Sequence, residues 1–226
     1  MIHYHGTPIT PRTVLHSLAG RCFCVSHASP TDAKCCHEIG QSVMLDNGAF
    51  SAWRSGRSVD WNGYYEWCAK WLDYRTTWAV IPDVIDGDGP DNDALLAQWP
   101  HGTRGAPVWH MHEPIRRLRR LAEIWPRICI GSSGEYATVG DARWHGRMVL
   151  AMNELCGDGP AQVWLHMLRG MSLAGSHYPF SSVDSTDIAR NHHLDHKSAR
   201  AMADRWDAIQ CPAVWSRRPT QMELGT

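Results

Sequence analysis

Asp184 stands at the end of a short apolar run, Phe180-Ser181-Ser182-Val183, with hydroxyls following at Ser185 and Thr186. A carboxylate at the mouth of a buried strand is costly to desolvate unless it is hydrogen-bonded or chemically useful. The plain alternative is a turn or helix cap, which is what most loop aspartates do. Chemistry needs company, and other apolar runs supply it. One ends in Asp46-Asn47-Gly48-Ala49-Phe50-Ser51, the next in Asp83, and a third in His110-Met111-His112-Glu113. Further on come Gly131-Ser132-Ser133-Gly134 and His166. Two carboxylates facing each other across a rim suit displacement at an acetal-like carbon. One attacks the carbon while the other moves a proton to the leaving group or from the incoming one. A third, Asp83, can accept N–H donors from a planar edge such as guanine offers. Backbone amides around Gly131, Ser132 and Ser133 can meet a carbonyl oxygen, and Phe50 can stack on a heterocycle.

These groups converge only if the strands that carry them share one face. Apolar runs bounded by turn residues predict eight strands, at 2–5, 22–26, 43–45, 78–81, 107–111, 128–130, 163–167 and 181–183. Helical spacing fills 60–74, 114–125, 141–155 and 195–209, the first opened by an N-cap-like Asp60 and the second by Pro114. Strands apolar on both faces and alternating with helices predict a parallel sheet. Eight such units predict a compact (β/α)8 TIM-like barrel, one α/β domain over 1–226, in which several helices must be short. An open doubly wound sheet would want a glycine-rich phosphate loop after the first strand, and none is present. In a parallel barrel all the C-terminal strand ends lie on one face, which is where this architecture builds active sites.

Composition narrows the class. A chain of 226 residues with 43% hydrophobic residues can bury a real core. No apolar run reaches membrane-spanning length and the first residues do not read as a secretory signal, so the expected location is cytoplasmic, with reduced thiols at the eight cysteines. The net charge of −1 draws the chain to neither nucleic acid nor membrane as a whole. Local arginines would have to make any phosphate contacts: Arg54, Arg190, Arg217 and Arg218 on position alone. The cluster Arg116, Arg117, Arg119 and Arg120 reads as a solvated helix face.

With those residues in view, the chain resembles the guanine transglycosylases, which exchange guanine in a nucleic acid for a 7-deazaguanine through a covalent glycosyl–enzyme intermediate on a (β/α)8 barrel. Asp46-Asn47-Gly48-Ala49-Phe50-Ser51 resembles the family's Asp-Ser-Gly-Gly-Phe-Gln turn. Pro82-Asp83 stands where a Phe-Asp strand end carries the guanine-reading aspartate. Trp109-His110-Met111 and Ile130-Gly131-Ser132 take the places of Gln-Gly-Gly and Ile-Gly-Gly. Positions 182–190 match the spacing of the nucleophile stretch, with Asp184 on the nucleophile and Arg190 on its terminal arginine. The resemblance covers roughly positions 43 to 190. It implies that Asp184 attacks C1′ and that Asp46 acts as general acid/base or positions the base. It also implies that Asp83 reads the guanine edge, and that Gly131 and Ser132 meet its carbonyl oxygen. Asn47, Phe50, His110, Ser133 and His166 are the further substrate-binding candidates, and Arg190, Arg217 and Arg218 the nucleic-acid-binding ones.

The departures are informative too. RNA-acting members carry a Cys-x-Cys-x-x-Cys plus histidine zinc site late in the chain; after Asp184 this chain has only Cys211, with His192, His193 and His196. The compact length and the Leu45–Ser51 wording are more like the DNA-acting branch of phages and DNA-modification clusters, which places 7-cyano-7-deazaguanine or a relative into DNA. The implied partners are therefore DNA, with the target base flipped or single-stranded, and a free 7-deazaguanine. No cofactor is required by that chemistry. A structural zinc in the cluster Cys22, Cys24, His27, Cys35, Cys36, His37 finds no support in the spacing, and no metal ligand is assigned. Two other readings compete. A metal-dependent amidohydrolase-like barrel would pair His3 and His5 with Asp184 on a metal, and a nonenzymatic nucleic-acid module would need more positive charge than this chain carries.

Overall fold

A computed structural model describes residues 1–194 and 197–219. Nine strands run in parallel: β1 Ile2–Gly6, β2 Cys22–Ser26, β3 Ser42–Asp46, β4 Thr77–Val80, β5 Gly105–Ala106, β6 Val108–His110, β7 Arg127–Gly131, β8 Trp164–Met167 and β9 Ser182–Ser185. Their order in the sheet is β5-β4-β3-β2-β1-β9-β8-β7-β6. The two ends of that order are consecutive in sequence. Residues 105–110 bond to β4 through their first half and to β7 through their second. Pro107, which has no N–H to donate, separates the halves, yet its carbonyl accepts from the Cys129 N–H at 2.9 Å. The sheet is thus an eight-position ring around a barrel, with one strand broken at a proline.

The helices are α1 Arg12–His16, α2 Ala33–Ile39, α3 Ala49–Arg54, α4 Trp61–Ala69, α5 Gly89–Ala97, α6 Ile115–Ile124, α7 Ala142–Cys156, α8 Asp187–Asn191 and α9 Ala199–Asp207. The expected helices at 60–74, 114–125 and 141–155 are present: α4 stops early at Ala69, α6 is trimmed by one residue at each end, and α7 runs its full 15 residues to Cys156. Asp60 caps α4 by accepting from the Gly63 N–H at 3.0 Å. The expected 195–209 helix begins at Ala199 behind the Ser198 cap; Asp195 and His196 lie outside the described residues. Five short helices, α1, α2, α3, α5 and α8, escaped the periodicity because so few turns give too few apolar repeats. No helix among the described residues is long and apolar enough to cross a membrane.

Register decides which side chains face the barrel axis, because directly paired residues of parallel strands point to the same side. Tyr4 pairs with Asp184 and with Cys22, Cys24 with Met44, and Val108 with Cys129. The interior is accordingly filled by Tyr4, Cys24, Met44, Trp78, Val80, Ala106, Val108 and Cys129. Two separate cores pack outside the ring. One gathers Trp109, Trp144, Leu165 and Val183 under α6 and α7; the other gathers Phe23, Leu45, Tyr64 and Ala79 under α2 and α4, with α8 and α9 beside them.

The cysteine–histidine cluster does not form. Cys24 is interior, Cys35 and Cys36 lie in the outer core, and His37 stacks on Trp71 at 4.6 Å while bonding Thr77 Oγ1 at 2.9 Å. All eight cysteines are free thiols. Burial pushes the Cys36 thiol beyond its usual range, and Cys68 up to about 12, as expected for small hydrophobes in a core.

Candidate active site

The C-terminal ends of the strands surround a cavity of about 550 Å³ lined by Asp46, Asn47, Phe50, Asp83, His110, Gly131, Ser132 and Asp184, with Val80, Ile85 and Leu168 as its apolar wall. The polar lining residues come from the ends of five strands, β3, β4, β6, β7 and β9, so the fold itself, rather than any one loop, brings them together.

Asp184 lies inside β9 rather than just beyond it. Its Oδ1 accepts from the backbone N–H of Arg169 at 2.6 Å and from His166 Nε2 at 3.2 Å. Among the described residues no donor reaches Oδ2, which leaves that oxygen for the cavity. His166 itself is fully buried and does not line the cavity. Its Nδ1 is 2.8 Å from Ser182 Oγ, so the arrangement fixes the Nε2–H tautomer, with the serine donating to Nδ1. His166 therefore sits one layer below the place expected for a substrate contact and orients Asp184 instead. Strand periodicity shows which side a residue faces but not how deep it lies.

Asp46 closes β3 at the cavity wall, and its Oδ2 accepts from the Gly48 N–H at 3.1 Å. Gly48 has φ 78°, a left-handed conformation that glycine adopts without the Cβ penalty, and it starts α3. Burial, reinforced by the negative charges of Asp184 and Asp83, raises the Asp46 carboxyl to about 6; hydrogen bonds from Ser26 and Gly48 act in the opposite direction. An acid poised there exchanges a proton readily near neutral pH.

Asp83 is held on both oxygens. Asn47 Nδ2 donates to Oδ1 at 2.7 Å and His110 Nε2 approaches Oδ2 at 2.9 Å. Asn47 also bonds the Ile81 carbonyl and accepts from the Ala49 N–H. It is thus a clamp on Asp83 as well as a wall residue. With Nε2–H given to Asp83, His110 Nδ1 is buried without a partner. A Cβ added to Gly131 would stand 3.1 Å from that nitrogen, so glycine keeps the approach clear. Ser132 Oγ accepts from Trp144 Nε1 at 2.9 Å. Ser133 does not reach the cavity: it is buried, with Oγ 2.7 Å from His112 Nδ1.

The residue that sequence reasoning missed is Arg169, two positions past β8. It is the non-glycine residue with positive φ (54°) among those described. That conformation aims its N–H at Asp184 and lays its guanidinium 3.8 Å over the Phe50 ring. It lines the cavity between the two catalytic candidates, and burial lowers its pKa while Asp184 and Asp46 oppose the change. Nothing in local sequence marks an arginine after a strand as special, except that Gly170 follows it where a loop must turn.

A larger groove of about 1620 Å³ opens beside the cavity and shares Asp46, Phe50, Arg169 and Asp184 with it. Arg54 and Arg190 line this groove, so both stand at the rim. Arg217 and Arg218 do not. The backbone N–H of Arg217 donates to Asp158, that of Arg218 to Asn153, and the Arg218 guanidinium covers Trp215. These partners lie at the C-terminal end of α7, which feeds the beginning of β8, so the pair occupies the opposite end of the barrel. Position in sequence carried no information about which end a loop joins.

The histidines of the competing metal reading point away from Asp184. His3 and His5 alternate with the interior Tyr4 and face α9, with Asp207 Oδ1 3.6 Å from His3 Nδ1 and 3.3 Å from His5 Nε2. Desolvation lowers the His3 pKa to about 4. Among the described residues no three His, Cys, Asp or Glu side chains gather as a set of metal ligands. The arginine cluster on α6 also departs from a solvated face. Arg117 is buried, paired with Glu113 at 2.7 Å and Asp93 at 3.0 Å, while Arg119 and Arg120 pair at the surface with Glu154 and Asp93. Comparisons with protein-family models, with curated proteins and with solved structures find no match for this chain.

Proposed function

We propose that this barrel is a guanine transglycosylase that acts on DNA. The observation that carries the reading is the placement of three carboxylates from three strand ends on one cavity, each in a different chemical setting. Asp184, oriented by His166 and the Arg169 N–H, offers Oδ2 as nucleophile. It forms an ester bond to C1′ of the target nucleotide as the C1′–N9 bond breaks and its electron pair leaves with guanine. Asp46, whose carboxyl titrates near 6, gives the departing base a proton. In the second half a free 7-deazaguanine loses its N9 proton to the Asp46 carboxylate and attacks C1′, and Asp184 departs as the carboxylate.

Base recognition falls to the other side of the cavity. The oxygens of Asp83, fixed by Asn47 and His110, retain lone pairs for N–H donors of the guanine edge. The groove lined by Arg54, Arg169 and Arg190 fits a sugar–phosphate strand leading to the cavity, and Arg190 keeps the nucleic-acid-binding role its position implies. A flipped or single-stranded nucleotide satisfies this geometry, because the carboxylates lie below the rim. No cofactor enters these steps.

The test is base exchange by purified protein with labelled guanine on duplex DNA, single-stranded DNA and tRNA. Exchange in DNA alone is the expected result. Exchange in tRNA alone keeps the chemistry and overturns the substrate. Absence of exchange on all three, with no covalent adduct to Asp184, overturns the reading.

A further inference from the structure

The other end of the barrel carries a second pocket, of about 1080 Å³, ringed by the N-terminal ends of the strands. Three arginines line it, Arg75, Arg104 and Arg127, and no aspartate or glutamate does. Arg127 opens β7 and pairs with Trp164, so it faces the axis beneath the interior layer. Its guanidinium stacks on Trp78 at 4.6 Å and Trp164 at 5.5 Å. Its Nε is buried with no hydrogen-bond partner, and among the described residues no carboxylate pairs with it. Arg104 spends one nitrogen on the Tyr74 and Thr77 carbonyls, which leaves Nε and Nη1.

An arginine held between aromatic planes, desolvated and without a counter-ion, is expensive unless something anionic completes it. Burial lowers its pKa, with Arg104 adding to the effect and Tyr4 and Cys129 opposing it, so the charge sits in a setting that rewards a bound anion. Tyr4 and the two indoles do not compete for the ligand: Trp78 Nε1 donates to Tyr4 Oη, and Trp164 Nε1 donates to Ser182 Oγ. The donors left over are mainly guanidinium N–H groups, whose planar fork matches a phosphate or phosphate monoester.

We infer that this lower pocket binds a phosphate group, centred on Arg127 and assisted by Arg104 and Arg75. The ligand is either inorganic phosphate or a phosphate monoester such as a nucleoside monophosphate, whose base would have Trp164 and Trp78 nearby. The site is separate from the carboxylate cavity and does not depend on the transglycosylase reading.

Isothermal titration of the full chain with inorganic phosphate and with guanosine monophosphate tests it, alongside Arg127→Met, Arg127→Lys, Arg75→Ala and Arg190→Ala. Circular dichroism checks that each variant is folded. The expected result is binding that falls about tenfold or more in Arg127→Met, the loss of one charge-assisted contact, and less in Arg127→Lys and in the exposed Arg75→Ala. It persists in Arg190→Ala, which alters only the upper groove. Tighter binding of the nucleotide that Arg127→Met also weakens names a monoester as the ligand of this pocket; equal binding of the two compounds names free phosphate. Two results overturn the proposal: no binding of either compound by the wild-type protein at millimolar concentration, or binding that Arg127→Met and Arg75→Ala leave unchanged.

Discussion

Two sets of buried acids sit close together in this barrel and are treated in opposite ways. Glu113, just past β6, is almost completely buried and fully answered: its oxygens accept from the His110 N–H, Asn92 Nδ2 and Arg117 Nη1. Arg117 in turn bonds Asp93 and the Val108 carbonyl. Around the cavity Asp46, Asp83 and Asp184 face one another, with Arg169 as the neighbouring cation on the wall. One region neutralises its charge and fixes a backbone. The other concentrates like charge, raises the Asp46 pKa and leaves an oxygen of Asp184 unengaged. A carboxylate held for structure collects donors until its lone pairs are filled, whereas one held for chemistry keeps some open.

Substitutions can sharpen that contrast, starting from the strongest effect. Asp184→Asn keeps the shape and the Arg169 contact to Oδ1, so the fold should persist while formation of a covalent adduct falls roughly a thousandfold or more; mass spectrometry of trapped protein reads this. Arg117→Met should cost about 3–5 kcal/mol in urea unfolding, because it strands Glu113 without its cation. Adding Glu113→Gln to that variant should recover part of the loss. A cost for Asp184→Asn as large as that for Arg117→Met would erase the distinction.

Smaller effects separate the three cavity acids. Asp83→Asn should weaken competition by free 7-deazaguanine about tenfold to a hundredfold, the cost of one or two charge-assisted contacts, and leave the trapped adduct of a bound nucleotide less affected. Arg169→Gly removes the left-handed strain of φ 54° and should raise stability by up to about 1 kcal/mol while lowering exchange. The last effect is a matter of pH. The proposed proton transfer from Asp46 to the departing base predicts that single-turnover trapping declines as pH rises through about 6 and that Asp46→Asn flattens that decline. The sign for folding is the same. A carboxyl whose pKa is raised on folding favours the folded state at low pH and gives up that advantage between about 4 and 6, so Asp46→Asn should unfold with less dependence on pH over that window.

Much of this arrangement was legible along the chain. Strand ends bearing Asp46, Asp83, His110, Gly131 and Asp184 were readable because each apolar run stops at a polar residue, and a parallel ring needs no further instruction to collect them. Depth was not readable: His166 and Ser133 lie one layer away from the cavity, and period-two patterning is blind to that difference. Ends were not readable either, since Arg217 and Arg218 join the lower face through contacts some sixty positions away in sequence. Arg169 depends on a backbone conformation that arginine rarely adopts, and Arg117 on an acid one helical turn earlier whose burial only packing reveals.

The broken strand has a mechanical consequence. The ring divides into two arcs, β1 to β5 and β6 to β9, each backed by its own outer core. Asp46 and Asp83 ride on the first arc, Asp184 and His110 on the second. Where β1 meets β9 the arcs are joined by an unbroken ladder, and diametrically opposite they meet at Pro107, where the strand is short of a donor. The ring therefore has a stiff joint and a compliant one, and the gap between Asp184 and Asp46 is set by how two half-barrels lean on each other, as the opening of a clamp is set at its hinge.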